Sequence, residues 1–267
     1  MFLTDYHTHT RLSFDSEADP RAMVQAARQA GLQEICFTDH LDFLDFEGRF
    51  QGLERDGIPV YSQEEAAALA EEEGLPLRAG LELGEGWEDP TLAEEIYRRP
   101  GLDFVIGSAH NLDSAHGGMD FYYADYGSEE ACYDILDAYV GCLEALAAHP
   151  SFDILGHVVY PLRYMNDRDG HHVTMERYFP RLEGVFKALI ARDKGIELNT
   201  NRGAQTEVWR PLLALYRDCG GTLITLGSDA HRPVDVAKGI RAGGELLKEY
   251  GFSLAVYRAH CPTLVKL

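Results

Sequence analysis

The chain is 267 residues long, and its 24 Lys+Arg against 44 Asp+Glu leave a formal net charge of −20. At roughly 100–200 residues per domain this is one large or two small domains, a length that α/β barrels fill alone, and such a chain buries roughly 75% of its unfolded surface without needing disulfide staples. With 45% hydrophobic and 25% charged residues it is globular rather than disordered, and its acidity argues against nucleic acid or an anionic membrane surface as the main partner.

Phe2–Tyr6 predicts the first strand, and residues 20–30 a helix entered through Asp19-Pro20, a cap followed by a first-turn proline. Glu34–Phe37 is a second strand. Ser62-Gln63-Glu64-Glu65 forms a capping box for a helix over 62–73. Strands at Leu77–Leu83, Phe104–Gly107, Phe152–Leu155, Gly195–Leu198 and Thr222–Leu226 alternate with helices at 90–98, 128–148, 174–194, 206–219 and 233–249. Gly31, Gly74, Gly195 and Gly220 follow helical stretches, and Ser253–Tyr257 is a candidate last strand. No linker or repeat divides the chain, so a single domain over 1–267 is expected. Seven strand–helix alternations predict parallel strands with helical crossovers, either an open doubly wound sheet or a closed barrel. The scattered cysteines (Cys36, Cys132, Cys142, Cys219, Cys261) read as reduced core thiols. Met1–Thr10 lacks a signal-peptide pattern, and no run of about 18 apolar residues exists, so a soluble cytoplasmic chain is expected.

Reactive residues follow the predicted strands. His7 and His9 come after the first, Thr38-Asp39-His40 after the second, and Glu82 lies in the third. Ser108-Ala109-His110, Gly156-His157 and Ser228-Asp229-Ala230-His231 follow the fourth, fifth and seventh. A barrel collects its active site at the C-terminal ends of its strands, whereas an open sheet concentrates it at one switch point. Residues two apart on a strand share a face, so the His7/His9 and Asp229/His231 pairs each point one way. Imidazoles with carboxylates and no nearby cysteine suit Zn, Fe or Mn. Seven or more ligands exceed one tetrahedral site and imply two or three ions, with Glu82 able to bridge. A lone histidine at a strand end is ordinarily just hydrogen-bonded, but five strands ending this way are not explained one at a time. His116, His149, His171, His172 and His260 fit no such pattern and read as surface or loop residues.

In this order, these motifs resemble the polymerase-and-histidinol-phosphatase (PHP) superfamily, over residues 5 to 231. The resemblance implies a distorted seven-stranded (β/α)7 barrel with a trinuclear centre. One ion would take His7, His9, Glu82 and Asp229; a second would share Glu82 and add His110 and His157; a third would take His40 and His231. Where some members carry a histidine, this chain has Asp15, which resembles the histidinol-phosphatase branch and makes Asp15 an expected ligand. Its alternative is a loop carboxylate capping the following helix. Ala124-Asp125-Tyr126-Gly127, the Gly156-His157 to Arg163-Tyr164 stretch and Glu197-Leu198-Asn199-Thr200 also resemble the stand-alone branch.

The implied activity is hydrolysis of L-histidinol phosphate, a step of histidine biosynthesis. Asp229 would orient the attacking hydroxide, with Glu82 and His231 in the catalytic set. Arg163 and Arg202 would contact phosphate, since a guanidinium fork suits it; exposed structural arginines are the alternative. Asp42 is a candidate proton donor. The loops Leu41–Asp56 and Asp113–Tyr126 are expected to recognise imidazole and ammonium. The competing readings are a PHP phosphoesterase acting on nucleotide or nucleic-acid phosphodiesters, and a metal-dependent binding module without turnover. The expected partner is a small phosphomonoester, with neither nucleic acid nor membrane; self-association is left open.

Overall fold

The computed structural model describes residues 1–51 and 58–267. Seven parallel strands pair in chain order: β1 (Thr4–Asp5), β2 (Glu34–Asp42), β3 (Leu77–Gly84), β4 (Phe104–Ser108), β5 (Ile154–Leu155), β6 (Gly195–Asn199) and β7 (Ile224–Gly227). Between them run α1 (Pro20–Gln29), α2 (Gln63–Glu73), α3 (Pro90–Tyr97), α4 (Glu129–Ala148), α5 (Phe179–Ile190) and α6 (Arg210–Asp218). After β7 comes α7 (Ile240–Glu249).

The two ends of the sheet meet. Tyr6 N–H donates to Leu226 O at 2.8 Å, Asp229 N–H to His7 O at 2.9 Å, and His9 N–H to Ala230 O at 2.8 Å. Thr8 and Ala230 form a parallel bridge between the same segments. The sheet is therefore a nearly closed (β/α)7 barrel, one of the two architectures the sequence left open. Closure at this seam carries the chain just beyond β1 alongside the chain just beyond β7.

Several boundaries move, each for a local reason. The first strand is shorter than Phe2–Tyr6, and His7 and His9 lie past its end; the seam bonds nonetheless keep that stretch extended. β2 runs on to Asp42, so His40 joins Glu82 within paired strands, the two directly opposite one another in register. The predicted helices at 174–194 and 206–219 begin with 3-10 turns at Glu176–Tyr178 and Glu207–Trp209, with Pro180 and Pro211 in the first turns of α5 and α6. The helix predicted from 233 is interrupted because Ala237 and Gly239 take left-handed φ of 64° and 77°. A turn of π-helix at Arg163–Arg168 has no sequence signature.

Local chemistry sets the caps. Asp19 accepts from Ala22 N–H at 3.1 Å ahead of Pro20. Ser62 and Glu65 form the reciprocal capping box of α2, which ends on Gly74 in the left-handed region. Strands β3 to β7 are almost wholly buried, as expected when helices cover one face of a parallel sheet and the other lines a barrel.

The predicted last strand exists, β8 (Leu254–Arg258), but it pairs antiparallel with β9 (Cys261–Val265) outside the barrel sheet. This hairpin packs Ala255 and Tyr257 against Tyr6, Cys36, Phe104, Ile106 and Ile154. The N-terminal mouth is thus filled, leaving the opposite mouth for chemistry. The cysteines are unbridged; Cys36, Cys132 and Cys142 are buried, whereas Cys261 is exposed and no core thiol. No helix among the described residues is long and apolar enough to cross a membrane.

Gly107 of β4 shows how tightly the wall is packed, because a Cβ there would lie 2.2 Å from the Phe152 ring. Gly107→Ala is expected to destabilise the fold by ~1–3 kcal/mol through overpacking. Denaturant titration of the metal-free protein reads this as a lower midpoint at unchanged slope, and an unchanged midpoint would contradict the packing described.

Candidate metal centre

Glu82 lies at the centre of the open end with no solvent exposure. Its Oε2 is 3.0 Å from His40 Nδ1, 3.1 Å from His7 Nε2 and 3.5 Å from His9 Nε2. Its Oε1 is 2.8 Å from His157 Nε2 and 3.2 Å from His110 Nε2, and accepts from Ser108 Oγ at 2.6 Å. One carboxylate thus faces five imidazoles, one from β2 and the others from the segments just past β1, β4 and β5. Asp229 Oδ1 sits 3.8 Å from His7 Nε2, 3.5 Å from His9 Nε2 and 3.7 Å from His231 Nδ1. Asp15 Oδ2 approaches His231 Nε2 at 3.0 Å and His40 Nε2 at 3.8 Å.

Four imidazoles are oriented from behind. His7 Nδ1 bonds Glu197 Oε1 at 2.8 Å, and His110 Nδ1 bonds Asp42 Oδ1 at 3.1 Å. His231 Nδ1 bonds the Asp229 carbonyl at 3.1 Å. These oxygens are acceptors, so the ring nitrogens facing them carry the protons. His9 Nδ1 bonds Ser13 Oγ at 3.0 Å; that hydroxyl donates to Asp39, so it too receives the imidazole proton. Each Nε2 is left as a lone-pair donor, the arrangement in which an outer carboxylate or carbonyl fixes a metal-binding tautomer.

The inward atoms lack partners of their own kind. His7 Nε2, His9 Nε2, His40 Nδ1 and Glu82 Oε2 are buried without a hydrogen bond of acceptable geometry. A buried polar atom left this way is costly, and a cation is what a converging set of nitrogens and carboxylate oxygens accommodates. Donor atoms within 4.8 Å of one another form the groups His7/His9/Glu82, Glu82/His110/His157, His9/His40/His231 and His40/Asp42/His110. The residues therefore fit divalent metal. The grouping differs from the expected one: His9, His40 and His110 each belong to two sets, Asp42 sits among the donors, and the expected ligands Asp15 and Asp229 fall in none of the four.

Charge follows the same plan. Burial opposes ionisation of Glu82, but His7, His110 and His40 hold its carboxyl well below the ordinary range. Burial, with His231 and His40 nearby, drives the His9 imidazole well below its usual value, and burial also lowers His157. Arg163 is buried; burial disfavours its charge, but Asp229 more than compensates, its Oδ2 accepting from Arg163 Nη1 at 2.8 Å. Arg163 also stacks on Tyr160, with its guanidinium carbon 4.5 Å from the ring centre.

All nine expected ligand residues converge here, and Arg163 and Arg202 both line a cavity of about 250 Å³ above them. Arg202 is exposed and bonds Asn201 Oδ1 at 3.0 Å. Outside the cluster, His116 pairs with Asp113, and His260 pairs with Asp153 beside the hairpin turn. The sequence reading missed Glu197 as the partner of His7, together with Ser13 and Ser108. Its available signal was Glu197 and Asn199 two apart on a buried strand, hence on one face.

A parallel barrel with a histidine–carboxylate cluster at one mouth defines a class of metal-dependent hydrolytic domains. The chain belongs to the PHP domain family, whose model matches residues 5–201. The histidinol-phosphatase of Lactococcus lactis is 31% identical over 93% of this chain and 91% of that protein. The solved structure of histidinol phosphate phosphatase from Lactococcus lactis, complexed with zinc, L-histidinol and phosphate, superposes with a TM-score of 0.74 at 27% identity, covering 98% of both chains. A Listeria monocytogenes structure aligns with a TM-score of 0.71 at 16% identity over 90% of this chain and 99% of that one, a likeness of fold alone.

Glu82 contacts more donor groups than any histidine, so Glu82→Gln should damage zinc binding most. Its loss should exceed the ~10–100-fold typical of removing an outer partner. Competitive titration against a chromophoric chelator checks this; parent-like affinity would remove Glu82 from the ligand set.

Proposed function

We propose that this chain is a metal-dependent L-histidinol-phosphate phosphatase, releasing L-histidinol and phosphate, and that residues 1–267 carry this activity as one domain. The observation that carries the reading is a single cleft with two chemically opposite ends. At the inner end Arg163 and Arg202 stand over the donor cluster. The outer end is a cavity of about 700 Å³ walled by Phe14, Phe46, Tyr122, Tyr123, Tyr160 and Tyr164, with Asp42, Asp45 and Asp120. Among its described lining residues there is no lysine or arginine. The cavities share Asp15, His40, His110, Tyr122, Tyr160 and Tyr164, so they are continuous. An ester with a phosphate at one end and a cationic heteroaromatic amine at the other matches both.

His7, His9, Asp15, His40, Glu82, His110, His157, Asp229 and His231 would hold two or three divalent ions of the Zn, Fe or Mn kind. Bound there, such ions supply Lewis-acid neutralisation of phosphate oxygens and acidify water. The protein's own groups do the rest. Burial opposes ionisation of Asp229, but His7 and Arg163 hold its carboxyl well below the ordinary range. It therefore orients the attacking water by accepting a hydrogen bond, while Arg163, held charged, grips the non-bridging oxygens. Asp42, the expected proton donor, lines the outer cavity, where it accepts from His110 Nδ1–H at 3.1 Å. The described part of the expected loop Leu41–Asp56, through Gln51, contributes Asp42, Leu44, Asp45, Phe46 and Gln51 to the outer cavity; its remainder lies outside the described residues. The loop Asp113–Tyr126 contributes Asp120, Tyr122 and Tyr123.

The net charge of −20 supports a small monoester over an extended polyanion, which ordinarily meets a basic face. Unbridged cysteines and the lack of a membrane-crossing helix among the described residues support a cytoplasmic setting.

Phosphate release from histidinol phosphate should exceed that from a simple alkyl phosphate by at least ~10²-fold in kcat/KM, because a site built for polar groups rejects analogues lacking them. Prolonged chelation should abolish it. Equal rates on both esters, or faster release from a phosphodiester, would overturn the assignment. Arg163→Ala should keep the parent metal stoichiometry and lose one to two decades in kcat/KM, the equivalent of ~1.5–3 kcal/mol for a charge-assisted contact. A parent-like kcat/KM would mean that Arg163 does not contact the substrate.

A further inference from the structure

We infer that Asn199 is a positioning residue that ties the phosphate-contacting arginines to the metal-ligand histidine His7; the inference rests on the function proposed above. Asn199 ends β6, is buried, and lies between the two halves of the site. Its Nδ2 donates to Glu197 Oε1 at 3.1 Å, the oxygen that also receives His7 Nδ1–H. Its Oδ1 accepts from Asn201 N–H at 2.8 Å and faces Arg163 Nη2 at 3.5 Å. The amide orientation follows from chemistry: reversed, it would set oxygen against a carboxylate and N–H against donors.

Both ends of that amide have work to do. On the donor side, Glu197 uses Oε1 for His7 and Oε2 for the His157 backbone N–H at 2.9 Å, so it clamps two strands of the cluster. A hydrogen bond from Asn199 holds this carboxylate in the one rotamer that serves both. On the acceptor side, Asn201 and Arg202 take left-handed φ of 44° and 54°, a conformation costly for side chains with a Cβ. The turn is closed by Asn201 N–H on Asn199 and by Arg202 N–H on Ser228 O at 2.8 Å, which sets where Arg202 begins. Arg163 completes a ring of side chains: Asn199 to Glu197, to His7, to Asp229, to Arg163, and back to Asn199. A residue here must donate on one side and accept on the other. Asparagine does both at this length; aspartate keeps the acceptor and loses the donor.

That asymmetry makes the role testable. Zinc affinity is measured by chelator competition on metal-free protein, and inorganic phosphate binding by calorimetry on the zinc-saturated protein. Asn199→Ala is expected to weaken both, each by roughly tenfold or more, the lower range for losing an outer partner of a ligand. Asn199→Asp, in alkaline buffer that ionises the new carboxyl, is expected to lose zinc affinity similarly, because two carboxylates then face one another. It should retain parent-like phosphate binding once zinc is saturating. The split between the two variants is the signature of coupling. Unchanged affinities in Asn199→Ala overturn the inference. So do equal losses of both affinities in the two variants, with a matching fall in melting temperature, because that is the pattern of a purely structural residue. Neither measurement uses histidinol phosphate. A chain that shows the split and yet fails to hydrolyse that ester would refute the proposed activity and leave the coupling standing.

Discussion

A carboxylate at the bottom of a barrel mouth, out of reach of solvent, is the constraint on which the site depends. Burying an ion costs several kcal/mol even after relaxation, and only close compensating charge and hydrogen bonds offset it. Glu82 meets that demand with five imidazoles and the Ser108 hydroxyl. The arrangement is incomplete on protons alone, since His7 Nε2, His9 Nε2 and Glu82 Oε2 face one another without hydrogen bonds. The barrel therefore creates an electrostatic deficit at its open end that cations resolve, and the same cations would hold a phosphate in an otherwise acidic protein.

The outer supports are chosen by the same logic. Carboxylates at Glu197 and Asp42, the Ser13 hydroxyl and the Asp229 carbonyl each take one imidazole proton and turn the other nitrogen inward. Asp5 performs a comparable task on the backbone. It is buried, with its carboxyl pushed up to about 6 by burial against hydrogen bonds from Ser228 and Ala237. It accepts from Ser228 N–H at 2.9 Å and Ala237 N–H at 3.0 Å, which anchors the corner where Asp229 adopts a φ of 61°. The corner that carries Asp229 and the tautomers of His7, His9, His110 and His231 are thus specified from outside the donor cluster.

Cleft and barrel end divide the remaining labour. The hairpin β8–β9 fills the N-terminal mouth with Tyr257 and Ala255, which leaves the side where the strands finish open to ligands. There the aromatic and acidic lining of the larger cavity grades into the arginines of the smaller one. An ester with a phosphate at one end and a cation at the other would be oriented by charge in this gradient before it reached the donor cluster. Orientation of this kind is how a site converts binding into reactive geometry.

The alternation of strands and helices, the helix caps and the candidate donor residues were legible in the residues themselves. Ser62 with Glu65, Asp19 with Pro20, and histidines placed after apolar runs are local patterns whose meaning depends on near neighbours. Barrel closure was not local: it rests on the seam of Tyr6, His7 and His9 with Leu226, Asp229 and Ala230, more than two hundred residues apart in the chain. Glu197 and Asn199 escaped notice as site residues for the same reason, since a carboxylate on a buried strand acquires a role only when His7 is folded against it. The broken helix before α7 and the π-helical turn carrying Arg163 answer to tertiary partners rather than propensity. Motif order alone marked which residues were candidates to bind metal and phosphate. Only the folded barrel decided which of them face one another, because distances of three ångströms between remote segments are set by packing and not by spacing along the chain.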